Sequence, residues 1–165
     1  MTPAKTIKNL QKGFTLIELL VVIGILAILL AIVLIAINPA KQFGQANDTK
    51  RSSDVNAILN ALNQYMADNK GVLPPSANSI TSTASYIGNA AGEIDLCSFL
   101  VTKYIADLPI DPVIGIRQYT NPSGNCTQAS ASYETGYEVS VSANDNRLTV
   151  SAPKTYGTAP IQVTR

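Results

Sequence analysis

The sequence predicts an α+β fold: a long N-terminal helix, its first half crossing a membrane and its second half packed on a small antiparallel sheet. Three patterns predict it. From Leu19 to Ile37 no side chain is charged, and nothing there is more polar than Gly24. Further along, apolar residues return at three- and four-residue spacing, the mark of a helix with one covered face. Nearer the C-terminus they alternate with polar ones, as in a strand buried on one side. A length of 165 residues suits one folded domain with an appendage.

Residues 1–13 carry Lys5, Lys8 and Lys12 and no acid, and they end in Lys12-Gly13. The apolar run Phe14–Ile37 follows, with no small-residue A-x-A site behind it. A secretory signal has an apolar stretch of only about 7–15 residues before such a site. As helix, this run would extend about 36 Å at ~1.5 Å per residue. That is enough for a hydrocarbon core of roughly 30 Å. The flanking lysines keep the N-terminus cytoplasmic and place residues 38–165 outside.

Glu18 does not fit an ordinary anchor. A carboxylate near the start of an apolar span is costly unless a partner neutralises it. Two readings are open: it reaches the headgroup level, or it pairs with a cation. Cleavage after Gly13 would create the amine of Phe14 about one helical turn from Glu18. The amine of a neighbouring subunit could then pair with Glu18. Such an intermolecular ion pair, in apolar surroundings, would select one axial register.

Lys12-Gly13-Phe14-Thr15-Leu16-Ile17-Glu18-Leu19-Leu20 resembles the type III signal of bacterial type IV pilins and type II secretion pseudopilins. The resemblance implies a pilin fold and a leader, residues 1–13, removed by a prepilin peptidase at Gly13–Phe14 on the cytoplasmic face. It further implies N-methylation of Phe14 and the role of assembly glutamate for Glu18. The chain would wait in the inner membrane as a single-pass precursor surrounded by lipid. An assembly platform in that membrane and a cytoplasmic ATPase would then draw it into a homo-oligomeric helical filament, at the cell surface or in the periplasm.

Residues 38–165 leave enough chain for one modest core. Asn38-Pro39 interrupts the helical pattern and predicts a kink or break. Related pilins often have a proline earlier, near the position of Ile35. Gly44 is a second weak point, and Pro39 with Gly44 fits either a segment that melts during assembly or a simple hinge. From about 48 to 70, Val55, Ile58, Leu59, Leu62, Tyr65 and Met66 predict an amphipathic helix. Gly71 predicts its stop, and Pro74-Pro75 prevents resumption.

Residues 71–95 read as a connection rich in Ser, Thr, Ala and Asn, with Ile80, Tyr86 and Ile87 as its few anchors. Leu96–Tyr104 predicts one or two helical turns. The passage Leu108-Pro109-Ile110-Asp111-Pro112 forces an extended path. It resembles the start of the β-region in major pseudopilins, with Val113 where an aromatic commonly follows Asp-Pro. That β-region is expected over about 107–152. Residues 116–120 are a candidate strand. Tyr137, Val139 and Val141, a turn at Ala143-Asn144-Asp145-Asn146, then Leu148 and Val150 predict a hairpin. Past Ala152 the pattern decays into a Pro-, Gly- and Thr-containing tail.

Cys97 and Cys126 both fall outside the cytoplasm, where a disulfide is expected and two free thiols are the alternative. Closure would stabilise the fold by roughly 3–4 kcal/mol in the chain-entropy model. The bridge lies earlier than the C-terminal disulfide loop of many pilins. Asn144-Asp145-Asn146 offers oxygen ligands, but one carboxylate is a weak calcium signal, and Asp145 reads first as a turn residue. Calcium at Asp145 is the one cofactor considered; otherwise none is expected. Tyr119, Tyr133 and Tyr137 read as core or groove residues and not as a sugar-binding stripe.

The absence of histidine excludes a Ser-His-Asp triad, a Cys-His pair and a His-ligated zinc. The cysteines are too far apart for a CxxC module. No recognisable motif places a base beside any serine or threonine, so no enzyme is expected. With three of the twelve basic side chains in the leader, its removal turns the formal charge from +1 to −2. Sequence-independent nucleic-acid binding would need a local basic patch instead. The function expected is a structural subunit of a type IV pilus or pilus-like filament. One alternative is a major pseudopilin of a type II secretion system, which the Leu-Pro-x-Asp-Pro passage favours. Another is a minor or competence pilin that binds DNA or surfaces.

Overall fold

The computed structural model describes residues 13–76, 80–118, 125–128, 131–145 and 147–165. The leader lysines, residues 119–120 of the candidate strand with Tyr119, and Asn146 of the hairpin turn lie outside them. The chain divides into two units, Met1–Gln42 and Phe43–Arg165.

In the first unit, α1 spans Leu16–Ile37 and buries none of its residues. Thr15 is the N-cap, and Thr-x-x-Glu closes a capping box. The helix ends at Asn38, whose left-handed backbone (φ 46°) an asparagine tolerates better than most residues. The next helix, α2, starts at once at Pro39 and runs to Asp68. Proline suits a first helical position, since its missing N–H would have no partner there. The predicted break therefore falls on Asn38 alone. Asn38 ends one helix and begins the next, its carbonyl accepting the Lys41 N–H at 3.1 Å. Gly44 does not interrupt α2, which starts earlier than the apolar pattern indicated because its first turns are polar and exposed.

In the second unit, α2 buries Arg51, Val55, Ile58, Leu59, Ala61 and Leu62. These share one face by their three- and four-residue spacing. The helix closes as expected at Gly71 (φ 83°), whose N–H donates to the Met66 carbonyl at 2.8 Å.

Facing α2 is a five-stranded antiparallel sheet: β1 Ser85–Gly88, β2 Ile116–Gln118, β3 Ser132–Val141, β4 Leu148–Ala152 and β5 Ile161–Thr164. The order is β1-β3-β4-β5, with β2 also on β3. Glu134 pairs with both Gly88 and Ile116, and Val139 with both Ser85 and Val150. A strand residue has only two neighbours, so β1 runs along one side of β3 while β2 and β4 share the other. Tyr133, Tyr137 and Val139 of β3 and Val150 of β4 meet the α2 face in one core with Ile87, Leu96, Leu100 and Leu108.

Two strands lie outside the expected β-region. β1 sits in the connection 71–95, where Tyr86 and Ile87 are two adjacent anchors in a stretch rich in Ser, Thr, Ala and Asn. β5 sits in the tail, where Ile161 and Val163 are half-buried against β4 through four paired residues. Both are short segments stabilised by the neighbouring strand more than by their own pattern. The Leu96–Tyr104 segment forms a single short helix, α3, Cys97–Leu100. Its first residue is bridged to Cys126, with the Cα atoms 6.0 Å apart.

The covered face of α2 begins with an ion, Arg51. Arg51, almost fully buried, donates to both carboxylate oxygens of Asp111, from Nε at 2.6 Å and Nη2 at 3.1 Å. Its Nη1 reaches Asp48 at 2.9 Å. Asp111 also accepts the N–H groups of Val113 and Ile114 at 2.8 and 3.0 Å, which folds the Asp-Pro turn over it. Burial pushes the Asp111 carboxyl up, but the hydrogen bonds from Arg51, Val113 and Ile114 outweigh it and hold the group below its usual value. Gly136 (φ 77°) lets this turn approach β3, since a side chain there would put a carbon 2.8 Å from the Asp111 Cβ.

Removing one partner of a buried pair leaves a charge uncompensated. Arg51→Met should therefore cost about 3–5 kcal/mol, read as a lowered midpoint in thermal unfolding of the detergent-solubilised chain. Because the folded state binds the Asp111 proton more weakly than the unfolded chain does, the stabilisation is complete above about pH 4 and is lost as pH falls below it. That acid limb should be shallower in Asp111→Asn.

Candidate functional site

The residues that carry the processing motif cluster at the start of α1. Gly13, Phe14 and Thr15 precede the helix and are exposed, Phe14 to 85%. Among the described residues nothing crowds Gly13. Glu18 occupies the third helical position, where its Oε2 accepts from the Thr15 N–H at 2.8 Å and from the Thr15 hydroxyl at 2.7 Å. The Glu18 N–H in turn donates to Thr15 Oγ1 at 3.3 Å. A carboxylate at a helix N-terminus also faces the positive end of the helix dipole. Within one chain Glu18 is thus solvated by its own cap, and Thr15 is the residue whose part the charge argument missed. The Thr-x-x-Glu spacing was its sequence signal.

The other candidates fall elsewhere. Cys97 and Cys126 form the disulfide described above. Asp145 lies exposed in the β3–β4 turn, where its Oδ1 accepts the Arg147 N–H at 3.3 Å. A hydrogen bond from the Ser142 hydroxyl lowers the Asp145 carboxyl below its usual value. Among the described residues no three His, Cys, Asp or Glu side chains gather around a common point. Tyr133 and Tyr137 are buried in the core, and the Tyr137 hydroxyl donates to Asp54 at 2.7 Å. Burial, with Asp54 beside it, pushes the Tyr137 phenol up, so it stays a donor.

Residues 8–34 match the prokaryotic N-terminal methylation motif. The chain is also 33% identical to the type II secretion system core protein G of Pseudomonas aeruginosa, over 112 residues that cover 68% of this chain and 75% of that protein. The chain belongs to the type IV pilin and pseudopilin family. No solved structure matches it. As a member of that family it is a structural subunit of a pilus-like filament. Its apolar α1, 22 residues long, together with the motif fits a single-pass inner-membrane precursor.

Sequence reasoning also missed a surface groove of about 260 Å³ in the second unit of this pilin-like subunit. It is lined by Gly44, Asn47 and Arg51 of α2, by Val113 and Ile114, and by Lys154, Thr155 and Tyr156. The Tyr156 N–H donates to both oxygens of Asp48, at 3.0 and 3.1 Å, which straps the segment before β5 to the helix. The Tyr156 ring lies directly on Gly44, where any side chain would overlap it.

Two effects of opposite sign compete at that glycine. In an otherwise unchanged chain, Gly44→Ala should displace the ring and cost roughly 1–3 kcal/mol. With Tyr156→Ala already present, the same change should stabilise by up to ~1 kcal/mol through helix propensity. Thermal unfolding of the two single variants and the double variant reads this reversal as a coupling.

Proposed function

We propose that this subunit is made as an inner-membrane prepilin, cut at Gly13–Phe14 by a prepilin peptidase, methylated on Phe14 and polymerised through α1. One observation carries the reading: the Gly-Phe-Thr-Leu-Ile-Glu sequence opens a helix of 22 residues, none of them buried within its own chain. Such a helix needs lipid or copies of itself around it. Lipid is nearly as apolar as leucine, so leaving the membrane gains little by hydrophobicity alone. Side-chain packing between helices and an ion pair from Glu18 to the Phe14 amine of a neighbour would supply the preference. The assembly platform and a cytoplasmic ATPase would supply the work of extraction.

The cap geometry supports this role for Glu18. Thr15 satisfies the carboxylate with two donors, and among the described residues no cation pairs with it. The charge is therefore held in place yet available to an amine brought alongside it.

The relationship to a secretion protein favours a second reading, a major pseudopilin whose filament stays in the periplasm. Surface fibres lost on deletion of the gene support a pilus, and unsecreted exoproteins without fibres support a pseudopilus.

Glu18→Ala should still be processed and methylated, yet filaments counted by electron microscopy should fall at least about tenfold, given the strength of an ion pair in apolar surroundings. Normal filament numbers would sink the pairing role. Gly13→Val should accumulate as full-length precursor in the membrane fraction, seen as slower migration on a denaturing gel, and normal processing would refute the cleavage site.

A further inference from the structure

We propose that the groove beside Gly44 receives Phe43 of a second copy of this chain, a head-to-tail contact between neighbouring subunits that rests on the filament reading above. The groove carries exposed apolar surface on both sides: Val113 is 66% exposed and Tyr156 55%. The Tyr156 ring packs on Gly44 of α2, which fixes one edge of the groove and keeps part of that ring at the surface.

Phe43 is the complementary feature. It is the first large apolar side chain after the Asn38-Pro39 break, in a stretch from Pro39 to Arg51 that is otherwise small or polar. It is 72% exposed, so it fills no space in its own subunit. Successive residues on a helix point about 100° apart. Phe43 and Gly44 therefore face different directions, and Phe43 of one chain stands exposed to solvent and not in its own groove.

A projection and a groove at different places on one surface make a heterologous contact, which repeats from subunit to subunit and builds an open helix where the rotation does not close into a ring. That is the symmetry a filament needs. Position agrees as well, since Phe43 follows α1 closely in sequence and extends the set of apolar side chains that the filament must cover. Lys154 at the rim brings a cation that can lie against the inserted ring.

The test uses full-length chains in which Cys97 and Cys126 remain bridged. A Phe43→Cys chain and a Val113→Cys chain are co-expressed, and sheared filaments are treated with a short bis-maleimide. A crosslinked dimer that needs both chains, and that is missing from detergent-solubilised subunits, is the expected result. Filaments without that dimer overturn the contact and leave the filament reading standing. A dimer from the Phe43→Cys chain alone also overturns it, because it would mean that two Phe43 positions meet each other.

Should these substitutions prevent assembly, Val113→Cys is diluted into an excess of unmodified chain. Its maleimide labelling should be at least about tenfold slower in filaments than in solubilised subunits, as for a buried thiol. Equal labelling overturns the contact. Protection of Val113→Cys with no crosslink to Phe43→Cys assigns the groove to another part of the neighbouring subunit, or to another molecule, and overturns Phe43 as its occupant. Absence of filaments from the unmodified chain, both at the cell surface and in the periplasm, would overturn both readings. Phe43→Ala should lower filament yield roughly ten- to hundredfold, the range set by burial of a large aromatic side chain.

Discussion

Arg51 is the residue on which the second unit is organised. A guanidinium on the covered face of a helix is tolerable only if each of its charged directions finds a partner, because desolvation of a lone ion is severe. Here Asp111 takes two of its N–H groups and Asp48 a third. Asp111 in turn accepts two backbone N–H groups, which bends the Asp-Pro passage into its turn. Asp48 also receives the Tyr156 N–H and so anchors the segment leading to β5. Three distant stretches of chain thereby meet at one helical position, and the groove lined by Val113 and Tyr156 lies between two of them.

The two units answer opposite demands. The second covers its apolar residues with its own chain: α2 and β3 close a core in which the buried polar groups are matched. The first cannot, since a single helix has no second layer to pack against. Its shielding must come from outside, first from lipid and then from other copies in the filament. The Thr15–Glu18 cap belongs to this second problem. It satisfies the orphaned amides at a helix start and at the same time keeps a carboxylate ordered where an amine of another subunit can meet it.

The course of the chain was legible where one local rule spoke alone. The apolar run declared α1, the spacing Val55-Ile58-Leu59-Leu62 declared the buried face of α2, and Gly71 declared its end. The Tyr137–Val150 alternation declared the hairpin. Local rules were weaker where a partner strand supplies the order. Ser85–Gly88 and Ile161–Thr164 are strands because β3 and β4 offer them free backbone groups, and nothing in four residues announces that. The start of α2 at Pro39 was likewise obscured, because its first turns bury nothing and leave no apolar stripe to read.

The sequence by itself determined the family-bearing features: the Gly13-Phe14 junction, the spaced Glu18 and the uninterrupted apolar helix. These are contiguous, and their chemistry depends on distance along the chain. Tertiary structure alone decided that Arg51 is buried with Asp111, that Tyr156 lies on Gly44, and that Val113 and Tyr156 line one groove. Those pairs are separated by tens of residues or more, and each contact exists only because the sheet and α2 hold both partners at once.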